Sequence, residues 1–122
     1  MKIIRSFHFA WKGIIDCFVT QINFRVHLSL AVLAIILGTI FCISGSAWMA
    51  IVFCIALVLI TEMLNTALEK LCDVVHKNLH PQIRMVKDIA AAAVLVSALA
   101  SFITGLFIFL PPILHFIKTV VK

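Results

Sequence analysis

Acidic residues are scarce in this sequence, which has five Asp and Glu among 122 residues against ten Lys and Arg. Charged residues make up only 12% of the chain, whereas 64% of it is hydrophobic. This balance excludes an ordinary soluble domain and predicts an integral membrane protein. The basic residues are scattered and form no stripe, so nucleic acid is not an expected partner.

Nucleotide-loop and cysteine motifs are also missing. The four glycines, at positions 13, 38, 45 and 105, form no phosphate-binding loop, which excludes a soluble-type kinase fold. The four cysteines have neither CxxC nor metal-ligand spacing, so a disulfide framework is not expected. No repeat or low-complexity tract divides the chain, and a single domain over residues 1–122 is predicted.

The longest uncharged segment, residues 28–61, contains no Asp, Glu, Lys, Arg or His. One membrane span needs about 20 residues, so this segment suits two spans joined by a turn at residues 44–46, Ser-Gly-Ser. A third apolar run is predicted to close at Pro111 and Pro112. Backbone polar groups in lipid need internal partners, so an all-α membrane protein is predicted. The three predicted spans cover residues 27–43, 47–72 and 89–110.

Residues 1–22 differ from these spans. Apolar residues such as Phe7 and Trp11 recur there at helical spacing, while Arg5 and Lys12 lie on another face. This pattern predicts an amphipathic helix lying in the membrane interface, with a weak first span as the alternative. No convincing small-residue cleavage site follows the apolar run, so a signal peptide is not expected.

The distribution of basic residues predicts the orientation in the membrane. Four Lys and Arg precede the first span, and three occur in residues 73–88, but the turn at residues 44–46 has none. The two basic segments lie on one side of a three-span protein. That side is therefore predicted to be cytoplasmic.

One face of the second predicted span carries polar groups. At 100° per residue, Asn65, Glu69 and Asp73 all lie within about 60° of Glu62. Ionisable residues near a membrane usually point into a protein interior or a wet cavity. Alternatively, the helix has left the membrane and its acids are solvated, which suits Asp73 better than Glu62.

Two carboxylates on this face can take different roles in one reaction. One can hold a divalent cation, since hard cations prefer oxygen ligands, and the one nearer the hydrocarbon can act as a base. Asn65 can donate and accept hydrogen bonds, so it can orient either carboxylate. Lys87 and Asp88 bring a cation and another carboxylate to the same predicted side as Glu69. Phosphoryl transfer needs a metal held by carboxylates, a lysine and a base.

Two non-enzymatic alternatives use fewer of these residues. A non-catalytic membrane subunit would need neither Asn65 between the glutamates nor Lys87 and Asp88 at the next span. A proton- or ion-conducting oligomer would need an acid near the middle of the first or third span, and none occurs there. Four histidines show no ligand spacing and are predicted to be structural or solvated: His8, His27, His76 and His115.

The segments "EMLNTALEKLCD" (residues 62–73) and "HPQIRMVKDIAAAAVL" (residues 80–95) resemble the signature of the small bacterial integral-membrane diacylglycerol kinases. That family also contains the undecaprenol kinases. The resemblance extends upstream through "FHFAWKGI" and "NFRVH" and covers roughly residues 5–110. It implies ATP- and magnesium-dependent phosphorylation of a lipid alcohol at the cytoplasmic face of the bacterial inner membrane. It also implies a homotrimer with active sites between subunits.

The resemblance assigns roles to the polar residues. Glu62 resembles the general base, Asn65 resembles the residue that positions the lipid hydroxyl beside it, and Glu69 resembles a ligand of magnesium and the nucleotide. Lys87 and Asp88 resemble the pair that meets the nucleotide. Three loop residues lie near that pair: Asn78, Leu79 and His80.

The resemblance also covers the N-terminal quarter of the chain. Phe24 and Arg25 lie in a segment that resembles the lipid-facing entrance, and Trp11 matches a tryptophan of the surface helix. An interfacial anchor is the alternative role for Trp11, and a headgroup contact is the alternative for Arg25. Gln21 stands where many members carry a glutamate at the metal site. An amide oxygen can still bind magnesium, but without charge, so weaker metal binding is expected.

Both lipids that the resemblance implies present a primary hydroxyl at the membrane surface. Diacylglycerol, which would give phosphatidic acid, is the first expectation, and undecaprenol is the alternative. The "HP" at residues 80–81 and "GLFIFLPP" at residues 105–112 resemble the undecaprenol branch more closely. These are turn and span-end features rather than lipid contacts, so both substrates stay open.

Overall fold

A computed structural model describes residues 2–75 and 80–120, and nearly all of these residues are helical. No strand occurs in these two ranges. The four helices, in chain order, are α1 (Lys2–Thr20), α2 (Ile22–Ile40), α3 (Gly45–Val75) and α4 (Pro81–Val120). The predicted all-α class is therefore confirmed over the described residues.

Three of these helices are long and apolar enough to cross a membrane, namely α2, α3 and α4. The predicted spans at residues 47–72 and 89–110 lie within α3 and α4, whereas α2 ends at Ile40, before the predicted end of the first span at residue 43. At 1.5 Å per residue, α3 is about 46 Å long and α4 about 60 Å, so both exceed a hydrocarbon core of about 30 Å. Parts of both helices must therefore lie outside the hydrocarbon core.

Pro111 and Pro112, where the third span is predicted to close, do not end α4. The helix contains both prolines and continues to Val120. The proline ring fixes φ near −65°, which suits a helix, and each ring removes only one backbone N–H. Membrane helices tolerate this loss where neighbouring groups satisfy the freed carbonyls.

The turn between α2 and α3 begins at residue 41, whereas the predicted turn begins at residue 44. It occupies residues 41–44, and Gly45 already begins α3. Cys42 adopts a positive φ of 47° in this turn, and its successor Ile43 donates its backbone N–H to Gly38 across 3.2 Å. Ser44 accepts a hydrogen bond from the backbone N–H of Ala47 at the start of α3. Ser44 thus ends the turn and caps α3, while Gly45 and Ser46 already belong to the helix.

The most extensive helix contact joins α3 to α4, and α2 packs against α3. Buried polar residues mark the first of these contacts. Thr61 and Ser97 share a hydrogen bond of 2.8 Å between their hydroxyl groups, and Ser101 donates to the Cys54 carbonyl at 3.4 Å. Such interhelical hydrogen bonds fix the register of two helices in an apolar environment.

Candidate active site

The polar face of α3 is turned into the protein. Glu62 is 2% exposed, and Asn65 and Thr66 are buried beside it, whereas Leu64 and Leu71 are 59% and 58% exposed. This arrangement reverses that of a soluble helix, because the surroundings of a membrane helix are apolar. Glu62 lies about 26 Å along α3 from Gly45, within reach of the far edge of a hydrocarbon core. The prediction that these polar groups face inward is confirmed for Glu62 and Asn65.

Asn65 connects the buried part of this face to the exposed part. Its Nδ2 donates a hydrogen bond to Oε1 of Glu69 at 3.1 Å. Glu69 is one turn further along α3 and is half-buried. Oδ1 of Asn65 and Oγ1 of Thr66 are both buried and have no hydrogen-bond partner in the described part of the chain.

Residues of α1 and α2 interact electrostatically with Glu62. His27, which is half-buried on α2, interacts electrostatically with Glu62, as does Glu69. Cys17 near the end of α1 is buried and has Lys70 and Glu62 among its charged neighbours. Burial raises the pKa of the Cys17 thiol, so this cysteine stays protonated at neutral pH.

Lys87 of α4 contacts α3 directly. Its Nζ donates a hydrogen bond to Oδ1 of Asp73 at 2.5 Å. Asp88 faces another direction, since its carboxylate is exposed and lies 3.9 Å from Nε of Arg84. The predicted pair of Lys87 and Asp88 is therefore divided in the structure between two different partners.

The remaining predicted residues lie on α1, on α2 and between these two helices. Gln21 separates α1 from α2, and its Nε2 donates to Thr20 Oγ1 at 3.3 Å. No hydrogen bond joins Gln21 to Glu69 within residues 2–75 and 80–120. Phe24 is buried at 3% exposure, Arg25 is exposed, and Trp11 is 65% exposed on α1.

The loop before α4 is described only in part. Nδ1 of His80 accepts a hydrogen bond from the backbone N–H of Gln82 at 3.3 Å, next to the start of α4. Asn78 and Leu79, which are predicted to lie near the nucleotide, fall outside the described residues. Their roles stay predictions.

The sequence alone did not predict the electrostatic interaction of His27 with Glu62. A single histidine without ligand spacing gives no signal, and it was predicted to be structural or solvated. Its place beside Glu62 depends on how α2 packs against α3, which a pattern within one helix does not contain. The same limit applies to Cys17 on α1.

The carboxylates of α3 suit a metal ion that is bound together with substrate phosphates and waters. Across the described ranges, no three His, Cys, Asp or Glu residues group closely enough to hold a metal by themselves. Magnesium usually keeps several waters and binds one or two protein carboxylates together with substrate phosphates. Glu69 fits that role because it is half-buried and one of its oxygens accepts from Asn65.

Two cavities adjoin the helices. One of about 330 Å³ lies between α3 and α4, and Thr61, Asn65 and Ala90 are among the residues that line it. The other, of about 580 Å³, is an apolar groove along α2, α3 and α4 with His27 among its lining residues. The smaller cavity therefore offers space next to the polar face of α3.

Comparison with known proteins identifies the family of this chain. Residues 8–109 match the family described as prokaryotic diacylglycerol kinase. The chain is 38% identical over 114 residues to a diacylglycerol kinase of Synechocystis sp., covering 93% of this chain and 65% of that protein. It is also 38% identical over 110 residues to an undecaprenol kinase of Bacillus subtilis, covering 90% of this chain and 89% of that protein.

A more distant relative is a diacylglycerol kinase of Escherichia coli K12, which is 26% identical over 103 residues and covers 84% of each chain. The family match spans most of the sequence, and the named relatives are kinases of two lipids. The chain belongs to the prokaryotic diacylglycerol kinase family.

Proposed function

We propose that this protein is a membrane-embedded lipid kinase, which transfers the γ-phosphoryl group of ATP to the primary hydroxyl of a lipid alcohol. The observation that carries the proposal is the carboxylate of Glu62, which is 2% exposed on a membrane helix, one turn from the hydrogen-bonded pair of Asn65 and Glu69. Burying a carboxylate among apolar residues is costly, and such residues in membrane helices mark functional sites.

Glu62 acts as the general base. It accepts the proton of the lipid hydroxyl while the hydroxyl oxygen forms a bond to the γ-phosphorus, and the bond from that phosphorus to the ADP oxygen breaks. Asn65 positions the hydroxyl, and its Nδ2 holds Glu69 in place at 3.1 Å. Placing the reacting groups and stabilising their charge supplies most of the catalysis in phosphoryl transfer.

Glu69 would hold the magnesium ion that accompanies ATP, with Gln21 as a weaker, uncharged ligand. When bound, the ion neutralises charge on the phosphates. Lys87 adds a positive charge for the phosphates, and Asp73 fixes its ammonium group. Asp88 and the loop at residues 78–80 complete the nucleotide site in this proposal.

The lipid substrate reaches the site from the membrane. Phe24 and Arg25, at the start of α2, form the lipid-facing entrance, and Trp11 anchors α1 in the membrane interface. The exposed apolar residues Phe7 and Trp11 of α1 support this placement. The site faces the cytoplasm of a bacterial inner membrane, because the basic segments flank it.

The protein assembles as a homotrimer in this proposal, with each site completed between subunits. Most residues in the three candidate spans are exposed in the single chain, so the helices have surface available for neighbouring copies. Cross-linking in native membranes tests the assembly. A result with monomers alone contradicts it.

Diacylglycerol is the proposed substrate, and phosphatidic acid is its product. Undecaprenol is the second candidate, because the relative that carries that name matches 90% of this chain at 38% identity. Both lipids offer a primary hydroxyl, and the proposed chemistry at Glu62 is the same for each. The choice between them must therefore be made by assay.

The decisive experiment measures transfer of labelled γ-phosphate from ATP to diacylglycerol and to undecaprenol, in parallel, by purified protein in mixed micelles. We expect transfer to one lipid by the wild type and its loss in Glu62→Gln, which keeps the shape but removes the base. Asp16→Asn makes the same acid-to-amide change at an exposed position of α1 and serves as the control. No transfer to either lipid, with magnesium raised to offset Gln21, would contradict the proposal.

A further inference from the structure

Thr66 differs from every other threonine in the chain. A threonine inside a helix normally donates its hydroxyl hydrogen to the backbone carbonyl four residues earlier. Five of the six threonines do so, at distances of 2.7–3.2 Å: Thr20, Thr39, Thr61, Thr104 and Thr119. Thr66 is 3% exposed, and its Oγ1 has no hydrogen-bond partner within the described residues.

Leaving this hydroxyl unpaired is unfavourable. A buried polar group without a partner costs free energy, more so in apolar surroundings. The hydroxyl of a helical threonine usually donates to the carbonyl one turn earlier, which is that of Glu62 here. A rotation about χ1 of Thr66 would normally form this bond. A hydroxyl that forgoes this bond is available to another group.

The position of Thr66 indicates which group that is. Glu62 and Thr66 are four residues apart on α3, so their side chains are neighbours on the helix surface. Viewed down the axis, Asn65 lies about 60° to one side of Glu62 and Thr66 about 40° to the other. The proposed base is thus flanked by two buried oxygens without partners, Oδ1 of Asn65 and Oγ1 of Thr66.

We propose that the Thr66 hydroxyl binds the oxygen of the lipid alcohol and orients it for attack, an inference that rests on the proposed kinase function. Thr66 donates its hydrogen to one lone pair of the alcohol oxygen, and Glu62 accepts the alcohol's proton. The other lone pair then forms the bond to the γ-phosphorus as the bond to ADP breaks. Thr66 itself neither gains nor loses a proton.

If Thr66 positions the substrate, removing its hydroxyl should lower activity without lowering stability. If Thr66 only packs, activity and stability should change together. Thr66→Val preserves the shape of the side chain and removes only the hydroxyl. Because that hydroxyl has no partner among residues 2–75 and 80–120, its removal should leave the thermal midpoint unchanged or raise it. Loss of the proposed contact should nevertheless lower kcat with the lipid substrate about 10- to 100-fold.

The experiment compares the wild type with Thr66→Val, Thr66→Ser and Thr39→Val in mixed micelles. Each variant is assayed for kcat and for KM of the lipid and of ATP, and its Tm and oligomeric state are measured. Thr66→Ser keeps the hydroxyl and should recover most of kcat. Thr39 is the matched control. It lies at the C-terminal end of α2, and its hydroxyl already donates to the Ile35 and Ile36 carbonyls.

The outcomes distinguish this inference from the proposed function. A wild type without lipid kinase activity overturns both. An active wild type with an equally active Thr66→Val overturns the role of Thr66 and leaves the kinase proposal intact. A Thr66→Val protein that loses activity together with Tm or assembly also overturns it, because the hydroxyl would then serve the fold or a neighbouring copy. Lower kcat at unchanged Tm, recovered by serine, supports the inference.

Discussion

Lys87 and Asp73 join the two longest helices through a hydrogen bond of 2.5 Å between Nζ and Oδ1. Asp73 is one turn beyond Glu69 on α3, so the bond holds the Lys87 ammonium near the proposed metal ligand. The side chains are 36% and 67% exposed, and an exposed pair of this kind contributes little to stability. Its main effect is therefore to place a positive charge.

Asp73→Asn should raise the KM for MgATP several-fold, by roughly 3- to 10-fold, because Lys87 loses the carboxylate that orients it. The free energy of unfolding should change little, because the pair is exposed to solvent. Steady-state kinetics at saturating lipid and thermal unfolding check the two parts.

Arg84→Gln is the control for this prediction. It removes the exposed contact of 3.9 Å between Arg84 and Asp88 without touching Lys87. The KM for MgATP should stay within about twofold of wild type, since such surface contacts contribute little. An unchanged KM in Asp73→Asn would mean that the Asp73 contact does not serve the nucleotide.

The sequence predicted the polar face of α3 well, because a helical period of 3.6 residues depends only on spacing within one element. Glu62 and Asn65 are buried as that period requires, and the apolar Leu64 and Leu71 are exposed. Asp73 was predicted to be the most easily solvated acid, and its exposure fits that interpretation. Its bond to Lys87 was not foreseen, because the partner lies on another helix.

Features that depend on packing between helices were predicted less well. His27 and Cys17 approach Glu62 from α2 and α1, and no periodicity within either helix indicates this. The prolines at 111–112 were read from their local preference as the end of the third span, but α4 continues through them. A long apolar helix overrides that preference, because its backbone groups have no better partners in lipid.

Gly38 allows α2 and α3 to approach each other next to their turn. A Cβ at this position would lie 2.9 Å from Cη2 of Trp48 and 3.1 Å from Cδ1 of Ile43. Gly38→Ala should therefore destabilise the protein by about 1–3 kcal/mol, as overpacking does. A lower thermal midpoint in detergent micelles is the expected observation.

Gly105→Ala is the matched substitution. No atom lies within 4 Å of a Cβ at Gly105, so the added methyl group meets open space. Alanine also favours a helix interior over glycine by about 1 kcal/mol, and the thermal midpoint should stay equal or rise. Equal loss of stability in the two variants would contradict the close contact between Gly38 and Trp48.

The hydrogen bond between Thr61 and Ser97 should couple α3 to α4 only modestly. Its oxygens are 2.8 Å apart, but both hydroxyl groups also contact backbone carbonyls of their own helices. A double-mutant cycle with Thr61→Val and Ser97→Ala should give a coupling free energy of about 0.6 kcal/mol, the average for such bonds in membrane proteins. A coupling near zero would show that each hydroxyl is satisfied within its own helix.

Gln21→Glu tests the departure at the proposed metal site. A carboxylate binds magnesium more strongly than an amide, because it adds a negative charge to the same oxygen ligand. The magnesium concentration for half-maximal activity should therefore fall several-fold, by about 3- to 10-fold, with little change in maximal rate. A magnesium titration at fixed total ATP and saturating lipid measures this concentration.

Asn23→Asp provides the control for charge alone. Asn23 is exposed on α2, two residues after Gln21, and Asn23→Asp changes the net charge by the same amount. We expect no more than a twofold change in the magnesium requirement, since an exposed charge is screened by salt. If Gln21→Glu and Asn23→Asp shift the requirement equally, the effect is one of overall charge, and Gln21 does not bind the metal.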